Sequence, residues 1–228
     1  MVPGLLAGIS IEYIKEVTAY ILMGAGVTLK VFGVTLVFSI PLGVICAVGK
    51  LSRIPPLRWL LGAYTWIFRG TPLLLQLFFT YFGLPIVTGG HIRLEPLMAA
   101  FVTFIFNYAA YFTEIFRAGI QSIGRGQHEA AKALGMSKFL TMRRIILPQA
   151  VKIILPPTGN EVINLVKDTA LCSVITVTEM LRNANRVLAR DFDITALVIA
   201  ALIYLLMTLI VIQVFSRLEK GFAYYQVK

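Results

Sequence analysis

The chain has 228 residues, 58% of them hydrophobic and only 14% charged, with a formal net charge of +10. A mean hydropathy of +0.82 excludes an ordinary soluble domain and makes lipid the main solvent. The positive charge therefore bears on orientation in a membrane, and no nucleic-acid partner is expected. Cys46 and Cys172 both lie in apolar runs, which points to packing and to neither a disulfide framework nor a thiolate metal site. There is no Lys or Arg before Lys15 and no short apolar core with a small-residue cleavage site, so the first apolar run is expected to stay in the protein.

A helix needs about 20 apolar residues to cross a bilayer, and five segments qualify: Val17–Val48, Thr71–Val87, Leu97–Phe116, Ala150–Met180 and Ile194–Phe215. The predicted fold is an all-α integral membrane protein, a single transmembrane domain over 1–228 with about five spans. In the first span Thr35, Ser39, Gly43 and Ala47 recur at i+4, a stripe of small residues that predicts close packing against protein. Lys50–Gly70 follows, with Lys50, Arg53, Arg58 and Arg69 around the aromatic stretch Trp59–Phe68. That pattern predicts an interfacial helix leading into the second span. Thr71-Pro72 opens that span, with Pro tolerated in a first turn and the Thr hydroxyl placed to cap.

The long linker 117–149 holds Arg117, Arg125, Lys132, Lys138, Arg143 and Arg144, with Lys152 just beyond, and Arg217, Lys220 and Lys228 follow the last span. Together with the Lys50–Gly70 segment these outnumber Lys15, Arg93, Arg182, Arg186 and Arg190 on the other side. The positive-inside rule places the N-terminus outside and the C-terminus in the cytoplasm. Lys30, Glu114, Glu161, Lys167 and Asp168 are left inside spans. A charge there costs at least about 2.5 kcal/mol on insertion scales, so each is expected to face a cavity, a partner or a site.

Within the linker, His128–Leu134 reads as a short Ala-rich helix, Gly135 as its left-handed stop, Ser137 as the cap of a second helix and Pro148 as the end of that one. The Ala130 and Ala131 face suits docking into a cleft of a cytoplasmic partner. Glu129-Ala130-Ala131, Gly135 after three intervening residues, then nine residues to Ile145-x-Leu147-Pro148 resemble the EAA loop of binding-protein-dependent ABC importer permeases. Three further stretches resemble the polar amino acid branch of that family: Phe68–Gln76, Ala110–Ile120 and Lys167–Leu171. The resemblance covers roughly residues 20–220, with Thr113 where the branch usually has Ala and Ala170 where it usually has Ser.

The resemblance implies an amino acid importer in the bacterial inner membrane. Its partners would be a second permease copy or paralogue, a cytoplasmic ABC ATPase dimer gripping the loop, and an extracytoplasmic solute-binding protein. It makes Glu129, Ala130, Ala131, Gly135, Ile145 and Pro148 the ATPase-coupling residues. ATP and magnesium belong to the ATPase, and no cofactor to this chain. In agreement, Gly43–Lys50 only imitates a P-loop, with five residues between its glycines and Leu51 where Ser or Thr must meet magnesium.

Asn107, Tyr111 and Glu114 form one polar stripe on the third span, and Asn160, Glu161, Asn164, Lys167 and Asp168 another on the fourth. Both are candidates to line a substrate pathway at a dimer interface, with Thr71 at the mouth of the second span. Two readings stand for each charge: contact with a zwitterionic amino acid, or neutralisation, Glu114 by Arg117 and Lys167 by Asp168 or Glu161. His91 and His128 stand alone, so no metal is expected, and no nucleophile, base and orienting residue assemble, so the chain is not read as an enzyme. A self-sufficient secondary transporter or channel accounts for the hydropathy and the buried charges. It leaves the Glu-Ala-Ala to Pro segment unexplained, and no internal repeat supports it.

Overall fold

The computed structural model describes residues 10–222, and among these there are helices and turns but no strand. The N-terminal residues read above for a leader, and Lys228, lie outside the described residues. Three helical stretches are long and apolar enough to cross a membrane: Ile11–Leu51, Pro96–Gln121 and Thr195–Phe222. A fourth is a bent pair, Pro55–Gly70 with Leu73–Val87, which turns through 104° at its break.

The first predicted span is divided. Ser10 caps α1 (Ile11–Leu22) by accepting from the Tyr13 amide at 3.0 Å, and after Met23-Gly24 the chain restarts as α2 (Ala25–Leu51). The expected interfacial helix is α3 (Pro55–Gly70), with proline in its first turn, where the missing N–H leaves no bond unmade. It stops because Thr71 precedes a proline and takes the extended conformation (φ −117°, ψ 144°). The Thr71 hydroxyl donates back to the Ile67 carbonyl at 2.8 Å, closing the end of α3. Thr71-Pro72 is thus the corner, and the span proper begins at Leu73: α4 (Leu73–Phe78), a π turn Phe79–Gly83 and α5 (Leu84–Val87).

The chain continues as α6 (Pro96–Gln121), then α7 (Arg125–Ala133) and α8 (Lys138–Thr141). A second π turn, Met142–Ile146, leads without interruption into α9 (Leu147–Asp168). This corrects the expectation that Pro148 ends the helix begun at Ser137. The π turn widens the helix just ahead of the proline, which falls in the first turn of the next α segment, where an N–H is dispensable. The same device stands before Pro85, two residues after the other π turn. The fourth predicted span also ends early. α9 stops at Asp168, a 3₁₀ segment Thr169–Ile175 follows, and Thr176 closes it in the left-handed region (φ 70°). Two helices remain, α10 (Met180–Asp191) and α11 (Thr195–Phe222).

The helices gather into two compact units. The first holds α1, α2 up to Thr35, Leu74–Thr103 and Asn164–Leu209; the second holds Leu36–Leu73, Phe104–Ile163 and α11 from Ile210. In the first, Val17 and Ile21 of α1, Met180, Ala184 and Val187 of α10, and Ala196 and Ala200 of α11 form one buried cluster. Each set follows helical spacing, and the alanines let the backbones approach. The tightest approach is at Gly24: a Cβ there would lie 2.5 Å from the Glu179 carbonyl carbon and 2.6 Å from the Met180 nitrogen.

In the second unit Phe104, Tyr108, Phe112 and Phe116 bury one face of α6 at strict i+4 spacing. Gly43 packs on this ladder, its Cβ position 2.7 Å from that of Phe112. The small-residue stripe predicted to meet protein is buried throughout, at Thr35, Ser39, Gly43 and Ala47.

Gly24→Val is expected to lower the thermal midpoint in mild detergent, since forced overpacking costs roughly 1–3 kcal/mol. Gly26→Ala, where no atom lies within 4 Å of the added Cβ, is expected not to lower it. Equal behaviour of the two variants would remove Gly24 from the core contact.

Candidate functional site: a helix hairpin and its polar stripes

The 117–149 linker folds as a helical hairpin. α7 closes with two reverse hydrogen bonds, Gly135 N–H to the Lys132 carbonyl and Met136 N–H to the Ala131 carbonyl, both 3.0 Å. This pairing requires a left-handed residue between them, which Gly135 supplies at φ 72°. Ser137 then caps α8, its Oγ accepting from the Leu140 amide at 3.3 Å.

The hairpin shows almost all of itself. Glu129, Ala130, Lys132 and Ala133 are exposed, as are Leu134 and Phe139 beside the turn, whereas Ala131 is fully buried. Ala130 and Ala131 therefore do not share a docking face: neighbours on a helix diverge by about 100°, and Ala131 is the residue that seats α7 on its own chain. Below it Ile123, Ile146 and Ala150 form a small core, against which Ile145 packs. Pro148 is half-buried in the first turn of α9.

The α6 stripe meets α2 and α3. Asn107 is buried and donates its side-chain N–H to the Phe68 carbonyl at 3.1 Å. The Tyr64 hydroxyl donates in the opposite sense to the Phe106 carbonyl at 2.6 Å. The Arg69 guanidinium lies 5.5 Å from the centre of the Tyr111 ring, within range of a cation–π contact. Glu114 is held from two sides: one oxygen by Lys50, the other by the Arg117 Nε and Nη2 at 3.0 and 2.6 Å. Lys50 also donates to the Thr65 hydroxyl at 2.8 Å.

Two groups, one in each unit, escaped sequence reasoning. Lys50 was read only as an interfacial cation, and no periodic signal links it to a carboxylate 64 positions away. Glu179 was not singled out, yet it is fully buried and caps α10. Its carboxylate accepts from the Leu181 and Arg182 amides at 2.7 and 2.6 Å and from the Tyr204 hydroxyl at 2.8 Å. Glutamate is an uncommon helix cap, so the sequence carried little warning.

On α9 the polar residues separate by side. Asn160, Asn164 and Lys167 are exposed at i, i+4 and i+7, while Glu161 and Asp168 are half-buried on the flank. At the far end of α10 the Arg190 hydrogen bonds hold the Asp191 carboxyl below the usual carboxylate range. The Tyr13 hydroxyl donates to the same group at 2.9 Å, tying α1 to α10.

Residues 39–224 match the family described as the inner membrane component of binding-protein-dependent transport systems. The chain belongs to this family. It is 40% identical over 202 residues to the arginine transport system permease protein ArtQ of Bacillus subtilis, covering 88% of this chain and 91% of that one. To the probable amino-acid ABC transporter permease protein YckA of the same organism it is 38% identical over 207 residues, 90% of each. Among solved structures, a crystal structure of an amino acid ABC transporter with histidines superposes with a TM-score of 0.85 at 33% identity, over 94% of this chain and 99% of the other. The MetNI methionine ABC transporter, at 18% identity and a TM-score of 0.70 over 94% and 99%, shares the fold. The chain is accordingly the membrane-embedded permease subunit of an ABC importer, and the ATPase activity resides in a separate subunit.

Removing Glu114 from this permease leaves Lys50 and Arg117 facing each other. Glu114→Ala is expected to cost about 3 kcal/mol, the scale for breaking a largely buried pair. Lys50→Met with Glu114→Met should cost clearly less than the two single changes together, as read by thermal unfolding of the four proteins in detergent. Simple additivity would show that the pair is not coupled.

Proposed function

We propose that this permease carries amino acids through the inner membrane by alternating access driven by a partner ATPase dimer. The observation that carries the reading is the α7 hairpin, whose Glu129, Ala130 and Gly135 stand exposed while Ala131 anchors it. In this reading the hairpin enters a cleft of the ATPase, where ATP and magnesium are bound, and closure of the ATPases reaches the spans through Ile145, the π turn and Pro148. Such a turn ahead of a proline joins hairpin to span without breaking the helix. The names of the relatives support the amino acid class.

The N-terminus is assigned to the outside and the C-terminus to the cytoplasm, with a single domain of five crossings, α9 making the fourth. An extracytoplasmic solute-binding protein delivers the substrate. A second permease copy or paralogue covers the α9 face of Asn160, Asn164 and Lys167, which is exposed here and costly against lipid. The pathway is assigned to Asn164, Glu161 and Asp168, with Thr71 at the corner that opens the second span. Asn107, Tyr111 and Glu114, the further pathway candidates of the sequence, each already hold α3 or α2. With Glu114 engaged by Lys50 and Arg117, Glu161 and Asp168 are matched in number by Lys30 and Lys167, and the charge balance selects no cationic substrate.

Gly135→Val should abolish ATP-dependent uptake while the protein still inserts, because a β-branched residue pays roughly 1–2 kcal/mol or more in the left-handed region. Asn164→Leu should lower uptake with co-purification of the ATPase intact. Normal uptake by the first variant, or uptake that follows an ion gradient and ignores ATP, would favour the self-sufficient transporter.

A further inference from the structure

Lys50, Arg58, Trp59, Arg117 and Gln121 surround a cavity of about 230 Å³ where the end of α2, the start of α3 and the end of α6 meet. Among the described residues no carboxylate lines it. Lys50 and Arg117 lean on Glu114 from one side, so three cations against one acid leave an excess of positive charge. Arg58 takes part in no ion pair among the described residues. Arg117 Nη1 donates to the Gln121 carbonyl oxygen at 2.5 Å, which leaves the amide nitrogen of Gln121 as its remaining polar group, a donor. The wall is therefore built of donors and positive charge, the lining of an anion site.

A second feature is continuous with the first. α3 exposes a strip of large apolar residues that begins at the cavity: Trp59 at 80%, Leu60 at 68%, Trp66 at 76% and Ile67 at 49% exposure. Their spacing of i, i+1, i+7 and i+8 puts them on one side of the helix. The opposite side is held by the Tyr64, Thr65 and Phe68 contacts with α2 and α6. Cations with a Trp at headgroup level, followed by an apolar helix face, match a lipid with an anionic head and hydrocarbon tails.

We propose that this cavity holds the phosphate of an anionic phospholipid whose acyl chains lie along the Trp59–Ile67 face of α3. A zwitterionic lipid brings an ammonium group to a wall of cations. Inorganic phosphate shares the anion chemistry but leaves the apolar strip uncovered. The inference rests on membrane insertion and stands apart from the transport reading.

The test is native mass spectrometry of the full chain, delipidated in mild detergent and titrated with phosphatidylglycerol or phosphatidylcholine. The unchanged protein and Arg58→Lys are expected to retain phosphatidylglycerol preferentially. Arg58→Gln is expected to weaken that retention roughly fivefold, the equivalent of about 1 kcal/mol for one basic residue at an anionic surface, without altering phosphatidylcholine. Trp59→Ala should weaken it as well, and millimolar inorganic phosphate should not displace the lipid. Undiminished retention in Arg58→Gln overturns the proposal. So does displacement by phosphate, which would make this a free-anion site, and so does loss of a co-purifying protein in Arg58→Gln with lipid binding unchanged, which would make it a protein contact.

Discussion

Hydrocarbon offers no hydrogen-bond partner, so every polar group carried into the membrane must find one within the protein or face water. Much of the second unit follows from this constraint. Asn107 reaches the Phe68 carbonyl and Tyr64 reaches the Phe106 carbonyl, a reciprocal pair that ties the last two turns of α3 to α6. One turn beyond Tyr111, Glu114 gathers Lys50 and Arg117, joining the end of α2 to α6. These ties hold α3 in place while its other face stays apolar and uncovered, and the cation-lined cavity forms where the three helices meet. Glu179 answers the same constraint in the first unit, with two backbone amides and a tyrosine hydroxyl around one buried carboxylate.

Where the backbone itself gives up a hydrogen bond, local geometry absorbs the loss. Both π turns stand just ahead of prolines, at Pro85 and Pro148, so that each proline falls in a first turn. The second joins the exposed hairpin to α9 as one helical path. α8, the π turn and α9 thus run on as one stiff path, whereas a break at Pro148 would have left a hinge.

Much was legible because it rests on local rules. Gly135 and Ser137 perform the turn and cap roles their residue types predict. The buried Thr35-to-Ala47 stripe follows from its spacing. Segment ends were less legible, because hydropathy does not register a corner at Thr71-Pro72, a restart at Gly24 or a 3₁₀ segment after Asp168. Each is decided by what the segment packs on, as when Gly24 must lie against the backbone at Glu179 and Met180.

By itself the sequence determined the membrane class, the polar stripes at helical spacing and the hairpin with its left-handed glycine, since composition, periodicity and backbone sterics act over a few neighbouring residues. Only the tertiary structure decided that Lys50 is the partner of Glu114, that Ala131 faces inward while Ala130 faces out, and that Asn107 serves a backbone carbonyl of α3. Those outcomes depend on which helices lie side by side, and contacts between residues dozens of positions apart leave no periodic trace in one chain.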